Sequence, residues 1–404
     1  MGERRLPAVN RRRFVAGGAA ALAGAGLVGC TNAAGGSSRG PREFGDAVEP
    51  FHGPHQAGVA TTPQAHALFL ALDLVPSDKR DERQALDAIL RLWTADAQRL
   101  TQGQPALADT EPELAERPAR LTVTVGLGPA VFDRVGLAHL RPSAVAEMPA
   151  FETDALDPRW CGGDLLLQLC GDDPVAIAHA ARVMLKNVRT MTRQRWRQTG
   201  FRNARGAAAP GDSMRNLMGQ VDGTVNLRTE EEFDRNVWHD GADQPWFVGG
   251  TVLVLRRIRA ILDTWDELDR DAKELVVGRR LDNGAPLTGS AETDEPDFEA
   301  NVGGIPIIAP NSHIALARHL SEEERFLRRP YNYDDPPPAG ETSDSGLLFA
   351  TYQKDPGTQF VPVQQRLAAA DGLNPWITTV GSATFAVLPG VAPGHVLGEA
   401  LLDP

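Results

Sequence analysis

The chain has 404 residues, 42% of them hydrophobic, with 53 acidic and 41 basic side chains and a formal net charge of −12. This length is sufficient for two average domains with sizeable cores, and the composition is that of a soluble globular protein. The acidic balance argues against nucleic acid as a partner, because a phosphate backbone requires clustered lysine and arginine.

The N-terminus has the composition of an export signal. Arginines at positions 11–13 and Phe14 precede an uncharged run at residues 16–29, which is the pattern of a twin-arginine leader. The run is too short and too rich in Gly and Ala to remain across a bilayer of about 30 Å. Export of a folded protein favours a redox enzyme that takes up its cofactor in the cytoplasm. An ordinary secretory signal is the alternative. We assign residues 1–49 to the leader and a flexible linker.

The end of the leader has two interpretations. Residues 27–30, Leu-Val-Gly-Cys, resemble a lipobox, which predicts a lipid tether on Cys30. Cleavage elsewhere and free secretion is the alternative. In both cases we expect the protein outside the cytoplasm, either anchored to the membrane or secreted or periplasmic.

The two remaining cysteines, Cys161 and Cys170, form no CxxC pair and lack the Cys/His spacing of structural zinc. Cys170 ends an apolar run at residues 164–170, so two buried thiols are predicted. A disulfide between them is the alternative in an oxidising compartment.

Apolar runs alternate with amphipathic stretches through the rest of the chain. The pattern predicts strands at residues 67–74, 121–126, 164–170, 251–255, 346–352 and 383–388, and helices at 82–100, 174–186, 258–268 and 363–369. Two similar strand–helix halves indicate an α+β pseudo-repeat. A Rossmann fold is disfavoured, because no glycine-rich turn joins an early strand to a helix. Loops at 206–211, 229–244 and 334–340 are where a cofactor pocket would be built.

A first candidate site lies at residues 216–226. Gly219 and Gly223 bracket Asp222, so the backbone can turn tightly and approach a flat ligand. An aspartate held in such a loop is a candidate acid–base catalyst. A simple Asp-Gly turn is the competing interpretation.

Two further segments carry candidate residues. His313 precedes an apolar run, as an axial iron ligand must, although a lone histidine in this setting is more often a core or capping residue. Arg328 and Arg329 are adjacent, so one is expected to face inward while its neighbour meets solvent. The inward arginine would offer fixed donors to a peroxide or a carboxylate, and the competing interpretation is a solvated charge run.

Taken together, these motifs resemble the dye-decolourising peroxidase family, in its twin-arginine-exported branch. The GxxDG element at residues 219–223 is the most specific of them. The resemblance implies a pair of ferredoxin-like α+β domains with antiparallel sheets, similar to a dimeric α+β barrel, at residues 50–212 and 213–404, with haem held mainly by the second. It rests on residues 55–58, 161–164, 215–224, 284–287, 313–317, 326–329 and 359–362.

The resemblance also implies roles for individual residues. One haem b per chain would be bound axially through its iron by His313, with Asp222 as the distal acid–base residue and Arg328 as the distal arginine. The backbone of Gly223, Thr224 and Val225 would lie along the haem, and Arg318 would approach it from the proximal segment. Pro330 stands where relatives usually have glycine, which puts the presentation of Arg328 in question.

The function implied is that of an exported haem b peroxidase that uses hydrogen peroxide to oxidise dyes, phenols and other bulky reductants. Trp376, Tyr331 and Tyr333 are candidate surface oxidation sites, with core packing as the competing interpretation. Two other functions stay open: deferrochelatase-like release of iron from haem, and a lipid-anchored haem carrier. The natural reductant and a homo-oligomeric state are also left open.

Overall fold

The computed structural model describes residues 44–209 and 211–403. The twin-arginine segment and the Cys30 lipobox lie outside these residues. Within the described ranges, no helix combines the length and apolarity needed to cross a membrane.

The chain alternates strands and helices throughout. The strands are β1 His66–Leu74, β2 Thr122–Leu127, β3 Leu165–Gly171, β4 Thr192–Phe201, β5 Met214–Arg215, β6 Val221–Asp222, β7 Thr251–Ala260, β8 Asn301–Val302, β9 Ile305–Pro306, β10 Leu327–Arg328, β11 Tyr331–Asp335, β12 Asp344–Gln353 and β13 Ile377–Val387. The helices are α1 Glu82–Leu100, α2 Pro129–Arg134, α3 Pro174–Val188, α4 Glu230–Asn236, α5 Leu262–Trp265, α6 Arg270–Val277, α7 His313–Ala317, α8 Phe360–Ala370 and α9 Glu399–Leu402.

Eight of the strands close into an antiparallel barrel. Their order around the ring is β12-β11-β4-β1-β3-β2-β13-β7, and β7 pairs with β12 to complete it. The N-terminal half supplies β4-β1-β3-β2, and the C-terminal half supplies β11, β12, β7 and β13. The halves meet where Asn332 pairs with Phe201 and where Ala386 pairs with Leu127. The predicted α+β fold of two antiparallel halves is confirmed.

Strand β1 shows why the barrel forms. Its residues alternate between two apolar environments, since successive side chains point to opposite faces. Ala67, Phe69 and Ala71 lie in the core inside the barrel. The leucines at even positions, residues 68–74, pack outside against the helices of the N-terminal half. Burial on both faces explains an apolar run without polar alternation.

The helices α1 and α3 cover the outer face of this half. Asp81 caps α1 by accepting from the backbone N–H of Gln84, and Asp173 caps α3 in front of Pro174. The predicted apolar face of α1 is buried as expected, at Leu86, Ile89, Leu90 and Trp93.

Three sequence predictions in the C-terminal half were wrong. The predicted helix at 258–268 starts as strand, because β7 continues to Ala260. Its buried arginines find carboxylate partners, Asp154 for Arg256 and Asp335 for Arg257, so charged residues do not end the strand. The predicted loop at 229–244 contains α4, and residues 334–335 of the loop predicted at 334–340 belong to β11.

Both remaining cysteines are free thiols, Cys170 fully buried and Cys161 half-buried. Of the two thiols predicted to be buried, Cys170 is buried and Cys161 is only half-buried. Cys161 Sγ lies 3.3 Å from the carbonyl oxygen of Asp157.

Candidate functional site

The segment around Asp222 forms a small hairpin, in which β5 pairs with β6 and Met214 lies opposite Asp222. Gly219 has φ +90° and Gly223 has φ +115°, both in the left-handed region that favours glycine. A Cβ added at Gly223 would meet no atom within 4 Å. The hairpin therefore presents Asp222 beside an open space.

Asp222 lies close to Arg328, which comes from a distant part of the C-terminal half. Its Oδ1 lies 3.6 Å from Nη1 of Arg328, and its Oδ2 lies 3.5 Å from Nδ2 of Asn216. Both partners are at the outer limit of hydrogen-bonding distance. The carboxylate thus has a nearby cation. The sequence prediction that Asp222 and Arg328 act together is supported by their proximity.

Arg328 is held by a residue to which the sequence analysis assigned no role. Asn226 donates from Nδ2 to the carbonyl of Arg328 at 2.7 Å and accepts from its N–H at 2.9 Å. The guanidinium also donates from Nη2 to the carbonyl of Val225 at 2.6 Å. Arg328 is therefore positioned by the same loop that carries Asp222. Pro330, two residues further along the chain, does not prevent this.

The neighbouring arginine does not meet solvent as expected. Arg329 is 1% exposed, donating to Oε1 of Gln64 at 2.5 Å and to the carbonyl of Thr61. The reason is alternation along the extended backbone, which sends Arg329 into the barrel interior when Arg328 faces the hairpin.

His313 begins α7, and a carboxylate orients its imidazole ring. Its Nδ1 lies 2.6 Å from Oδ2 of Asp371, a carboxylate that is almost completely buried. Burial acts to lower the pKa of His313, but the charge and hydrogen bond of Asp371 outweigh it and the charge of Asp222 adds to them, so the pKa is raised above its ordinary value. The sequence analysis missed Asp371, which lies 58 residues further along the chain.

The charges of two candidate residues influence the third. The charges of Asp222 and Arg328 both act on His313. The helix α7 is apolar after His313, and its residues are half-buried. Such a half-open apolar surface is suited to a flat apolar ligand.

Three further predicted contact residues, Thr224, Arg318 and Val225, are partly or fully exposed. Thr224 donates from Oγ1 to Oε1 of Glu292 at 2.8 Å. Arg318 caps the C-terminal end of α7, and its guanidinium carbon lies 4.3 Å from the ring centroid of Phe298. Val225 is 53% exposed.

The aromatic candidates for surface oxidation differ in exposure. Tyr331 and Tyr333 are fully buried, so core packing is correct for both. Trp376 is half-buried and packs edge-to-face on Trp265, with ring centroids 5.4 Å apart.

The helix that follows the Asp222 loop is stabilised by Glu232. This carboxylate accepts from the N–H groups of Arg228 and Thr229 and pairs with Arg325 at 2.6 Å. Mainly because of the hydrogen bond from Arg228, its pKa is lowered from 4.5 to about 2. A lowered carboxyl pKa contributes stability that is present above pH 4.5 and is lost as the pH falls towards 2.

We expect Glu232→Gln to lower the free energy of unfolding by up to about 3 kcal/mol at pH 7, the equivalent of this shift. The difference from wild type should shrink between pH 4.5 and 2. Urea unfolding at several pH values measures both, with Glu230→Gln in the same helical turn as the control. A difference that stays constant down to pH 2 would contradict the assignment.

Comparison with known proteins supports the assignment of both halves. The Dyp-type peroxidase C-terminal model matches residues 213–392, and the N-terminal model of that family matches residues 56–202. The dye-decolorizing peroxidase of Thermobifida fusca is 40% identical over 360 residues, covering 86% of this chain and 84% of that protein. The deferrochelatase of Escherichia coli (strain UTI89 / UPEC) is 34% identical over 374 residues, covering 88% and 87%.

Solved structures match over most of the chain. The DyP-type peroxidase from Cellulomonas bogoriensis is 51% identical with a TM-score of 0.86, covering 89% of this chain and 99% of that one. A DypB variant from Rhodococcus jostii RHA1, solved in complex with heme, shares the fold at 21% identity and a TM-score of 0.62, covering 83% of this chain and 96% of that one. Because both family models and these relatives span both halves of the barrel, the chain belongs to the Dyp-type peroxidase family.

Proposed function

We propose that the protein binds one haem b per chain and uses hydrogen peroxide to oxidise dyes, phenols and other bulky reductants. The observation that carries the proposal is the pairing of Asp222 with Arg328 at 3.6 Å, alongside a histidine, His313, whose Nδ1 is held by the buried carboxylate of Asp371. We further propose export by the twin-arginine route, a lipid tether at Cys30, and a domain boundary near residue 212, with the haem held mainly by the second domain.

The residues present fit a haem. With Nδ1 of His313 engaged by Asp371, Nε2 is the nitrogen left to bind iron, the arrangement that fixes the tautomer of metal-ligating histidines. Within residues 44–209 and 211–403, no group of three or more His, Cys, Asp or Glu side chains could hold a metal ion. An iron at His313 would therefore need its other ligands from a bound group such as a porphyrin. Gly223, Thr224 and Val225 would lie along the ring, and Arg318 and Arg328 supply cations for its carboxylates.

The chain's own residues explain how peroxide would be activated. Haem, when bound, supplies the redox-active iron. Asp222 takes the proton from one peroxide oxygen and returns it to the other, so that the leaving group departs as water. Arg328 stabilises the negative charge that develops on that oxygen, as a donor already in position. The carbonyl of Val225 holds the guanidinium there, and Asn226 fixes the backbone of Arg328.

The direct test is the absorption spectrum of the purified protein before and after peroxide, together with peroxide-dependent dye oxidation. We expect a Soret band with a stoichiometry of one haem per chain, a spectral change on mixing with peroxide, and dye turnover. A protein that takes up no haem would refute the proposal.

A second function is favoured by the 34% identity to the deferrochelatase of E. coli. Anaerobic incubation with haem would then release iron and leave porphyrin, which is detected by its fluorescence. Dye oxidation without free porphyrin favours the peroxidase, and mass spectrometry of the mature N-terminus tests the proposed Cys30 tether.

A further inference from the structure

Residues 288–300, which we call the strap, form a surface segment with little anchorage in the core. No residue at positions 291–300 is buried, and exposed residues alternate there with half-buried ones. The ends are held locally, since Thr288 Oγ1 accepts from the N–H of Asp297 at 3.0 Å and the carbonyl of Ala300 accepts from Ile307 at 3.0 Å. Segments with few buried contacts open at low free-energy cost.

One contact ties the strap to the Asp222 hairpin. A single oxygen of Glu292, Oε1, accepts from Ser213 at 2.5 Å and from Thr224 at 2.8 Å. These two hydroxyls flank the hairpin on either side, directly before β5 and directly after Gly223. Glu292 therefore holds both ends of the loop that carries Asp222. Glu292 is held in turn by Arg279, which donates from Nη1 to the carbonyl of Glu292 at 2.9 Å.

A second contact ties the strap to the His313 helix. Phe298 lies under the guanidinium of Arg318, 4.3 Å from ring centroid to Cζ. Arg318 ends α7, five residues after His313. A cation is attracted to the face of an aromatic ring, so Phe298 fixes where the arginine's donors point.

We infer that Glu292 and Phe298 are positioning residues through which the strap clamps the two sides of the pocket together and controls how long haem is retained. The inference rests on the proposed haem function. Both contacts come from one segment that reaches the Asp222 side and the His313 side at points six residues apart.

The test is haem transfer from the holoprotein to excess apomyoglobin, with hydrogen exchange of the strap amides before haem is added. We expect Phe298→Leu to speed release about two- to fivefold and Glu292→Ala about tenfold, from the loss of two charge-assisted hydrogen bonds. Phe298→Tyr and Glu292→Gln should restore most of the retention. Glu299→Gln, exposed in the same segment, is the control.

Two results separate a clamp from a loss of local structure. Each variant should raise amide exchange at the far end of the strap as well as at its own contact, and Phe298→Leu should have no added effect on release in an Arg318→Leu background. Release rates within 1.5-fold of wild type would overturn the inference while leaving haem binding intact. A wild-type protein without haem would overturn the proposed function, and the inference with it.

Discussion

Replacing Asp222 with asparagine is expected to lower kcat/KM for hydrogen peroxide by about 10²- to 10⁴-fold, the usual contribution of a positioned acid–base group. The amide has the same shape but cannot accept the proton that must move between the peroxide oxygens. Its neighbour Arg328 stays in place, because Asn226 and Val225 hold it independently of Asp222. The rate of the spectral change on stopped-flow mixing with peroxide measures the effect.

Arg328→Leu should slow the same step by about 10²- to 10³-fold, as for the loss of one preorganised donor. The double variant should lose less than the product of the two, since residues acting as a unit are not additive. Asp78→Asn, an exposed carboxylate in the N-terminal half, is the control. Spectral changes within threefold of wild type in either single variant would assign the distal chemistry to another residue.

The second large effect concerns His313. We expect His313→Ala to lose the Soret band of the holoprotein, because Nε2 of His313 is the nitrogen proposed to bind the iron and alanine supplies no ligand. Asp371→Asn should keep the haem but weaken its binding about 10- to 100-fold, the usual cost of removing the partner of a ligating histidine. Haem titration of the cofactor-free variants, followed by absorption, gives both affinities.

His395 provides a matched control for this pair, since it also has a carboxylate partner, Glu399 at 2.9 Å, but lies exposed near the C-terminus. His395→Ala should bind haem as wild type does. An unchanged spectrum in His313→Ala would refute the ligand assignment.

The local sequence pattern was enough to predict strands and helices with a regular apolar face. The apolar run of β1 and the helical face of α1 were identified within two residues of their observed ends, because burial alone determines them. Strand β4 was not predicted from the sequence. Its arginines at 193, 195 and 197 are exposed, while Trp196 and Gln198 face inward, so polar composition hid a strand whose buried positions are few.

The site could be predicted only in part, and distance along the chain explains the difference. Asp222, His313 and Arg328 lie in motifs that resemble a known family. The residues that position the site do not lie in such motifs. Asp371 is 58 residues from His313, Glu292 is 68 from Thr224, and Asn226 is 102 from Arg328. Such pairs are brought together by tertiary folding of the C-terminal half, and no local pattern records them.

Barrel closure also determines when the strand edges of the newly made chain become paired and protected from aggregation. The N-terminal half emerges first and leaves β4 and β2 as unpaired edges until β11 and β13 arrive more than 120 residues later. Exposed edges invite pairing with other chains. The arginines of β4 protect one edge, whereas β2, Thr-Val-Thr-Val-Gly-Leu, carries no charge. During synthesis the β2 edge is therefore where aggregation would begin, and where a chaperone would have the most to cover.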